Sequence, residues 1–231
     1  SPVGQHGVRR RRARLQGGRL HAASPAGSES YGQEHTWNYE AGVKTSWLGQ
    51  RLSVNAALFF IDWTDLQVNV PNPFVPAQFY VANAGTARSK GFEVELNARP
   101  QPGFDLFASV GRTSAHFGSA SVSGGVNVSG KTLANMPDMT GSFGLQYSRS
   151  IRAAVSAYGR AEVVTYGDFF YDDANTASQS AYSLANVRFG VRASRLFVEG
   201  WLRNAFDTRY VPTAFAFDPR LAPSGFIGEL G

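Results

Sequence analysis

The stretch Trp37-Asn38-Tyr39-Glu40-Ala41-Gly42-Val43-Lys44-Thr45-Ser46-Trp47 alternates strictly. Trp37, Tyr39, Ala41, Val43, Thr45 and Trp47 fall on one side, and Asn38, Glu40, Gly42, Lys44 and Ser46 on the other. A period of two residues is the period of a strand with one apolar and one polar face. The pattern recurs downstream. Leu52, Val54, Ala56, Leu58 and Phe60 share a face, as do Phe92, Val94, Leu96 and Ala98, and then Phe104, Leu106, Ala108 and Val110. Gly141, Phe143, Leu145 and Tyr147 follow, then a segment near 153–164 with Ser156, Tyr158, Arg160 and Glu162 on its polar side. Ala185, Val187, Phe189 and Val191 alternate with Asn186, Arg188, Gly190 and Arg192, and a last segment covers about 196–204.

Several of these strands are about ten residues long, the length that crosses a bilayer at a tilt of about 45°. Their connections alternate. Short ones lie at 48–50, 99–103, 148–152 and 193–195, and long ones at about 62–86, 117–137 and 165–182, with another loop opening at Ala205. Short turns at one end and long loops at the other are the layout of an outer-membrane barrel, with the polar face toward a lumen. The fold class expected is therefore all-β: an antiparallel transmembrane β-barrel fragment of about eight up-and-down strands, with short periplasmic turns and long extracellular loops. A soluble β-sandwich binding module and an independent eight-stranded porin or adhesin are the competing readings. Trp37, Trp47, Trp63, Tyr147 and Tyr166 lie near strand ends, where interfacial girdles or ordinary packing would place them.

Composition agrees with a β protein. Of 231 residues 25 are Gly, aromatics make up 13%, charged residues 17%, and there is no Cys. That excludes a disulfide framework and thiolate metal sites. No apolar run approaches the ~18 residues of a membrane helix. The net charge of +5 is carried by residues 1–30, where Arg9, Arg10, Arg11, Arg12, Arg14 and Arg19 face only Glu29; the remainder is balanced. Body-wide nucleic-acid binding therefore has no electrostatic support.

Five motifs in order resemble those of the TonB-dependent outer-membrane receptors. They are 34–42 (Glu34-His35-Thr36-Trp37-Asn38-Tyr39-Glu40-Ala41-Gly42), 58–65 ending in Asp62-Trp63-Thr64-Asp65, and Asn83-Ala84-Gly85-Thr86-Ala87-Arg88-Ser89-Lys90-Gly91-Phe92-Glu93-Val94-Glu95, followed by Asn135-Met136-Pro137-Asp138 and 203–210 (Arg203-Asn204-Ala205-Phe206-Asp207-Thr208-Arg209-Tyr210). Ala205 stands where the family usually has Leu. The resemblance implies a barrel of about 22 strands with a plugged lumen. It implies import of a scarce ligand such as a ferric siderophore or cobalamin, energised by the TonB complex through an N-terminal region, in the cell outer membrane. The implied partners are outer-membrane lipid, the TonB complex and a ferric siderophore or similar ligand, with no nucleic acid. By this reading residues 31–231 are the C-terminal portion of the barrel, without the plug and the closing strand.

Residues 1–30 fit none of this and read as a basic tail, disordered or frame-shifted. An RNA-binding arm or a membrane-surface segment is the functional alternative. Back-translated with GC-rich codons and shifted by one base, Val8–His21 can read Tyr-Ala-Ala-Val-Ala-Arg-Gly-Tyr-Lys-Ala-Gly-Gly-Phe, which resembles the strand the receptor family carries just before this region.

No catalytic motif is present, so no enzyme activity, cofactor or metal is expected. His6, His21, His35 and His116 are too scattered for a local metal motif. Glu93 and Glu95 share a face, but beside Arg160, Glu162, Arg188 and Arg192 they read as cross-strand ion pairing. Tyr166, Phe169, Phe170, Tyr171, Asp172 and Asp173 are the ligand-binding candidates, as an aromatic platform at the extracellular mouth; loop packing is the competing account. Asp172 and Asp173 match no EF-hand spacing and read first as solvated acids.

Overall fold

The computed structural model describes residues 6–20, 24–75, 78–216 and 226–229. Nine strands form one sheet: β1 (His6–Gln16), β2 (Glu34–Trp47), β3 (Leu52–Thr64), β4 (Ala87–Gln101), β5 (Phe104–Phe117), β6 (Met139–Arg152), β7 (Val155–Tyr166), β8 (Tyr182–Ala193) and β9 (Leu196–Leu202). They pair in chain order, each antiparallel to the next. From β2 to β8 these are the alternating segments of the sequence, lengthened by a few residues, and β9 is the last of them, ending at Leu202. Among the described residues β1 and β9 each pair with one neighbour in the sheet, so it is an open curved wall and not a closed eight-stranded barrel. No helix occurs among the described residues.

The register sorts side chains onto two faces. Val43, Ala56, Val94, Val110 and Gly141 lie in one row, and Tyr39, Phe60 and Lys90 in another, on the outer face. These apolar residues lie open: Leu58 is 64% exposed, Phe143 57% and Phe189 61%. A sandwich would cover them with a second sheet. An uncovered apolar face of this extent is what lipid covers in a barrel. The inner face carries Glu40, Lys44, Asn55, Glu93, Glu95, Gln146, Arg160, Glu162, Arg188 and Arg192.

The buried core sits at the loop end. Leu66, Ala84, Ala87, Phe117 and Val128 form its centre, with Trp63, Val68 and Leu133 packed against it. Short hairpins rise from this layer at 67–71 with 79–83, 122–123 with 126–127, 169–170 with 178–179, and 213–216 with 226–229. Among the described residues the buried apolar side chains lie in the loops and at the loop ends of the strands.

Residues 6–16 belong to the 1–30 segment expected as a basic tail, disordered or frame-shifted; they lie along β2 as a strand, with Arg10 opposite Glu40 and Arg12 opposite Asn38, which brings the expected eight or so strands of the sheet to nine. An exposed edge supplies the backbone partners that an arginine run does not select for itself. Residues 1–5 and 21–23 of that tail lie outside the described residues. Of the proposed girdle, Trp37, Trp47 and Tyr147 are exposed on the outer face, but Trp63 packs into the loop core and Tyr166 falls on the inner face. A shift of one residue changes face, and strand ends do not reveal that parity.

Candidate functional site

The mouth is built on the Asn83–Glu95 motif. Asn83 Oδ1 accepts from the Gly32 amide at 2.6 Å, and its Nδ2 donates to the Asp65 carbonyl at 2.7 Å, tying two loops together. Gly85 has φ +106°, a backbone state side chains rarely adopt, and a Cβ there would lie 3.0 Å from Ser121 Oγ. Ser121 in turn donates to the Thr86 carbonyl at 3.0 Å. Ala84 and Ala87 are buried beneath. Asp62, where β3 leaves the apolar band, pairs with Arg88 at 2.9 Å. At the far end Asn204 accepts from the Thr208 amide at 2.9 Å and donates to its carbonyl at 3.0 Å, closing the turn after β9. These motif residues organise loops.

The six candidate residues separate into two groups. Phe169 is buried and meets Tyr171 edge-on at 5.2 Å, while the Phe170 backbone pairs with Ser178 and accepts from the Asn135 amide at 2.7 Å. Tyr171 donates its hydroxyl to the Val211 carbonyl, and burial pushes its pKa up. Asp172 accepts from Thr176 Oγ1 and from the amides of Thr176 and Ala177, each at 2.9 Å. Asp173 accepts from Ser123 Oγ at 2.7 Å. Burial raises its pKa, the Ser123 bond lowers it, and the Asp172 charge raises it. Phe169–Asp173 thus cap their own hairpin through Asp172 and tie it to neighbouring loops at Asn135, Val211 and Ser123. Among the described residues no group of three or more His, Asp or Glu side chains could hold a metal ion.

Tyr166 stands apart from that group. It faces inward at the loop end of β7 and stacks on Tyr182 at 5.1 Å, which stacks on Tyr210 at 4.5 Å. Tyr182 and Tyr210 were not among the sequence candidates. Tyr182 was findable, because it mirrors Tyr166 across the 166–182 hairpin. Tyr210 closes the 203–210 motif, and only tertiary structure brings it onto Tyr182.

Below the stack the inner wall is polar and paired. Arg160 lies 4.1 Å over the Phe107 ring and bonds Glu162 at 2.7 Å. Phe107 in turn lies across Gly144, where a Cβ would meet the ring at 2.1 Å. Tyr158 donates to Glu199, and Arg188 lies 3.7 Å from the same carboxylate. Asn55 donates to Glu95 at 3.2 Å. Arg188–Glu199 and Asn55–Glu95 reach across neighbouring strands, whereas Arg160–Glu162 lies along one strand, and the ion pairs expected for Glu93 and Glu95 do not form among the described residues. Glu93 and Glu95 form no acid–base pair in this setting.

Comparison with known proteins gives a consistent result. The ferric yersiniabactin uptake receptor FyuA of Yersinia pestis superposes with a TM-score of 0.82 at 19% identity, over 98% of this chain and 33% of that one. The ferric-catecholate import receptor Fiu of E. coli K12 gives 0.69 at 21% identity, covering 98% and 31%. The siderophore receptor PiuA of Acinetobacter baumannii gives 0.69 at 16%, covering 98% and 34%. The chain spans about one third of the length of these receptors. The profile of the TonB dependent receptor-like, beta-barrel family matches residues 11–205. With its exposed outer apolar face, polar inner wall and loop-end core, the chain belongs to the TonB-dependent receptor-like β-barrel family.

Proposed function

We propose that this chain forms part of the wall and mouth of an outer-membrane receptor that imports a ferric siderophore or similar scarce ligand, driven by the TonB complex. The observation that carries the reading is the wall itself. Its apolar residues are exposed on one face, and the other face carries charged residues, with Arg160 paired to Glu162 and Arg188 to Glu199. Receptors of similar fold are described as ferric-siderophore receptors. The chain acts by binding and transport; of its inner-face carboxylates Glu162 and Glu199 serve ion pairs and Glu95 a hydrogen bond. Among the sequence candidates Tyr166 is the residue proposed to touch ligand, together with Tyr182 and Tyr210. Three stacked rings offer a flat, amphipathic surface for an aromatic or planar anionic ligand. Phe169, Phe170, Tyr171, Asp172 and Asp173 act on binding by holding that loop in place.

The test is iron-limited growth and uptake of radiolabelled ferric siderophores in cells carrying the intact receptor. Deleting the gene, or the TonB system, should abolish uptake of the cognate complex. A Tyr166→Ala, Tyr182→Ala double variant should retain outer-membrane assembly and bind that complex about tenfold or more weakly. Uptake indifferent to both deletions for every complex tried would overturn the reading.

A further inference from the structure

Charge is divided along the strand direction. The long loops over 62–86, 117–138 and 165–182 hold Asp62, Asp65, Asp138, Asp168, Asp172 and Asp173 against Lys131 alone. The short turns at the other end reverse the balance: Arg51, Arg99, Arg149, Arg152, Arg192 and Arg195 lie in or beside them against Asp105 alone. Backbone hydrogen bonds lace these turns into one rim. The Arg99 amide donates to the Arg51 carbonyl at 2.7 Å, the Ser148 amide to the Gly103 carbonyl at 2.7 Å, and the Ser194 amide to the Ala154 carbonyl at 3.0 Å. Gly103 has φ +79°, and a Cβ on it would lie 2.2 Å from the Ser148 carbonyl oxygen, so the close approach there depends on glycine. Arg51 adds to the lacing through its Nε, which donates to the Arg99 carbonyl at 3.1 Å, and Arg99 pairs with Asp105 at 2.8 Å. The other four arginines belong to two neighbouring turns, β6 to β7 and β8 to β9. Each is exposed, and among the described residues none of the four has a carboxylate partner.

We propose that this rim docks on the carboxylate-bearing peptide stems of the cell-wall glycan in the periplasm. The proposal rests on the outer-membrane placement proposed above, which sets the short turns on the periplasmic side. Like charges gathered without acids repel one another, and a bound anion relieves the repulsion. Guanidinium groups take carboxylates through two parallel hydrogen bonds. Adjacent turns lie about 10 Å apart, two strand spacings. A polymer with a carboxylate on each stem can meet such a row at several points, and every contact after the first is intramolecular. The laced backbone holds the row in place before binding, which lowers the entropy lost on docking. Orientation decides against lipid as the occupant. Arg149 stands on the outer face and Arg192 on the inner face, while Arg152 and Arg195 stand at the turns themselves. A bilayer meets the outer face alone, whereas a polymer beneath it meets all four.

The experiment uses the intact receptor purified from outer membranes in mild detergent. Its sedimentation is measured with purified cell-wall sacculi and with sacculi whose carboxylates have been converted to amides. The variants are Arg149→Gln, Arg152→Gln and Arg195→Gln combined, and Lys131→Gln as a loop-end control. The proposal expects native sacculi to carry down the wild-type receptor, less so as salt is raised. Amidation and the triple variant should each weaken binding about tenfold or more, and Lys131→Gln should match wild type. A wild-type receptor that stays in solution overturns the proposal, as does equal sedimentation with amidated sacculi. So does a triple variant of normal heat-modifiable mobility that sediments like wild type. If that variant instead loses co-purifying phosphatidylglycerol, read by native mass spectrometry, while binding sacculi unchanged, the rim is a lipid surface and the proposal falls. A receptor absent from the outer membrane overturns the proposed function, and the docking rim falls with it.

Discussion

Replacing Gly91 by alanine in the intact receptor should destabilise the barrel by about 1–3 kcal/mol, the usual range for overpacking. Gly91 faces inward on β4, opposite Phe59 of β3. A Cβ built on it would lie 2.1 Å from the Arg112 carbonyl oxygen and 2.5 Å from the Phe59 ring. The two obstacles differ in kind. The ring can rotate away, whereas the carbonyl belongs to the neighbouring strand and moves only by distorting the ladder. Phe59→Ala should therefore recover only part of the Gly91→Ala loss in a double-mutant cycle. Gly159 is the internal control: it lies on the outer face of β7, and no atom comes within 4 Å of a Cβ placed there. Gly159→Ala should be neutral or stabilising by about 0.4–1 kcal/mol, through the reduced freedom of the unfolded chain. Urea titration of the detergent-solubilised receptor, followed by tryptophan fluorescence and heat-modifiable gel mobility, reads all four variants. A Gly91→Ala receptor within about 0.5 kcal/mol of wild type would refute the reasoning. So would full rescue by Phe59→Ala, or equal damage from Gly159→Ala.

Asn83→Ala should loosen the mouth by about 1.5–4.5 kcal/mol, from three lost hydrogen bonds of about 0.5–1.5 kcal/mol each; unchanged hydrogen exchange at Gly32 and over 66–84 would count against it. Because burial raises the Asp173 pKa, the folded loop binds its proton more tightly than the unfolded one. Protection of 169–179 should be greatest below the folded pKa and fall as pH rises through it, and Asp173→Asn should flatten that slope; pH-independent exchange in wild type would contradict this. The gene's nucleotide sequence should permit the shifted reading of 8–21, which puts alanine and valine at the two lipid-facing positions held by Arg9 and Arg11; codons that allow no such peptide would eliminate it. The 231-residue chain expressed alone should form inclusion bodies, because the β1 and β9 edges leave backbone groups unpaired; a protease-resistant monomer in detergent would refute this.

Strands β2 to β9 were legible because each has one apolar and one polar face, which imposes alternation. The arginines of β1 hide the same period, since Arg9 and Arg11 point outward while Arg10, Arg12 and Arg14 point inward. Pairing with β2 places the segment in spite of its composition. The surroundings of the candidate residues were less legible. Tyr166 belongs to the inward stack, whereas Phe169 to Asp173 bond within their hairpin and to neighbouring loops, because the sequence shows that aromatic and acidic residues cluster without showing what they touch. Asp172 and Asp173 illustrate the limit. Adjacent in sequence, one caps its own turn and the other bonds Ser123 from a different loop.

The position of the core bears on where a ligand can be held. Ala87 and Val128 are fully buried at 0% exposure, and Leu66, Phe117 and Phe169 nearly so, all in the loop layer. Loops built on such a core have fixed geometry, so their packed residues are committed and cannot also reorganise around a guest. Asn83, Asp172 and Asn204 are likewise committed to backbone partners. The inward-facing Tyr166–Tyr182–Tyr210 stack and the arginines below it instead contact other side chains along the wall. Specificity in this part of the receptor would then reside in the inner wall just under the mouth, where rings and guanidinium groups are exposed to one another and not to lipid.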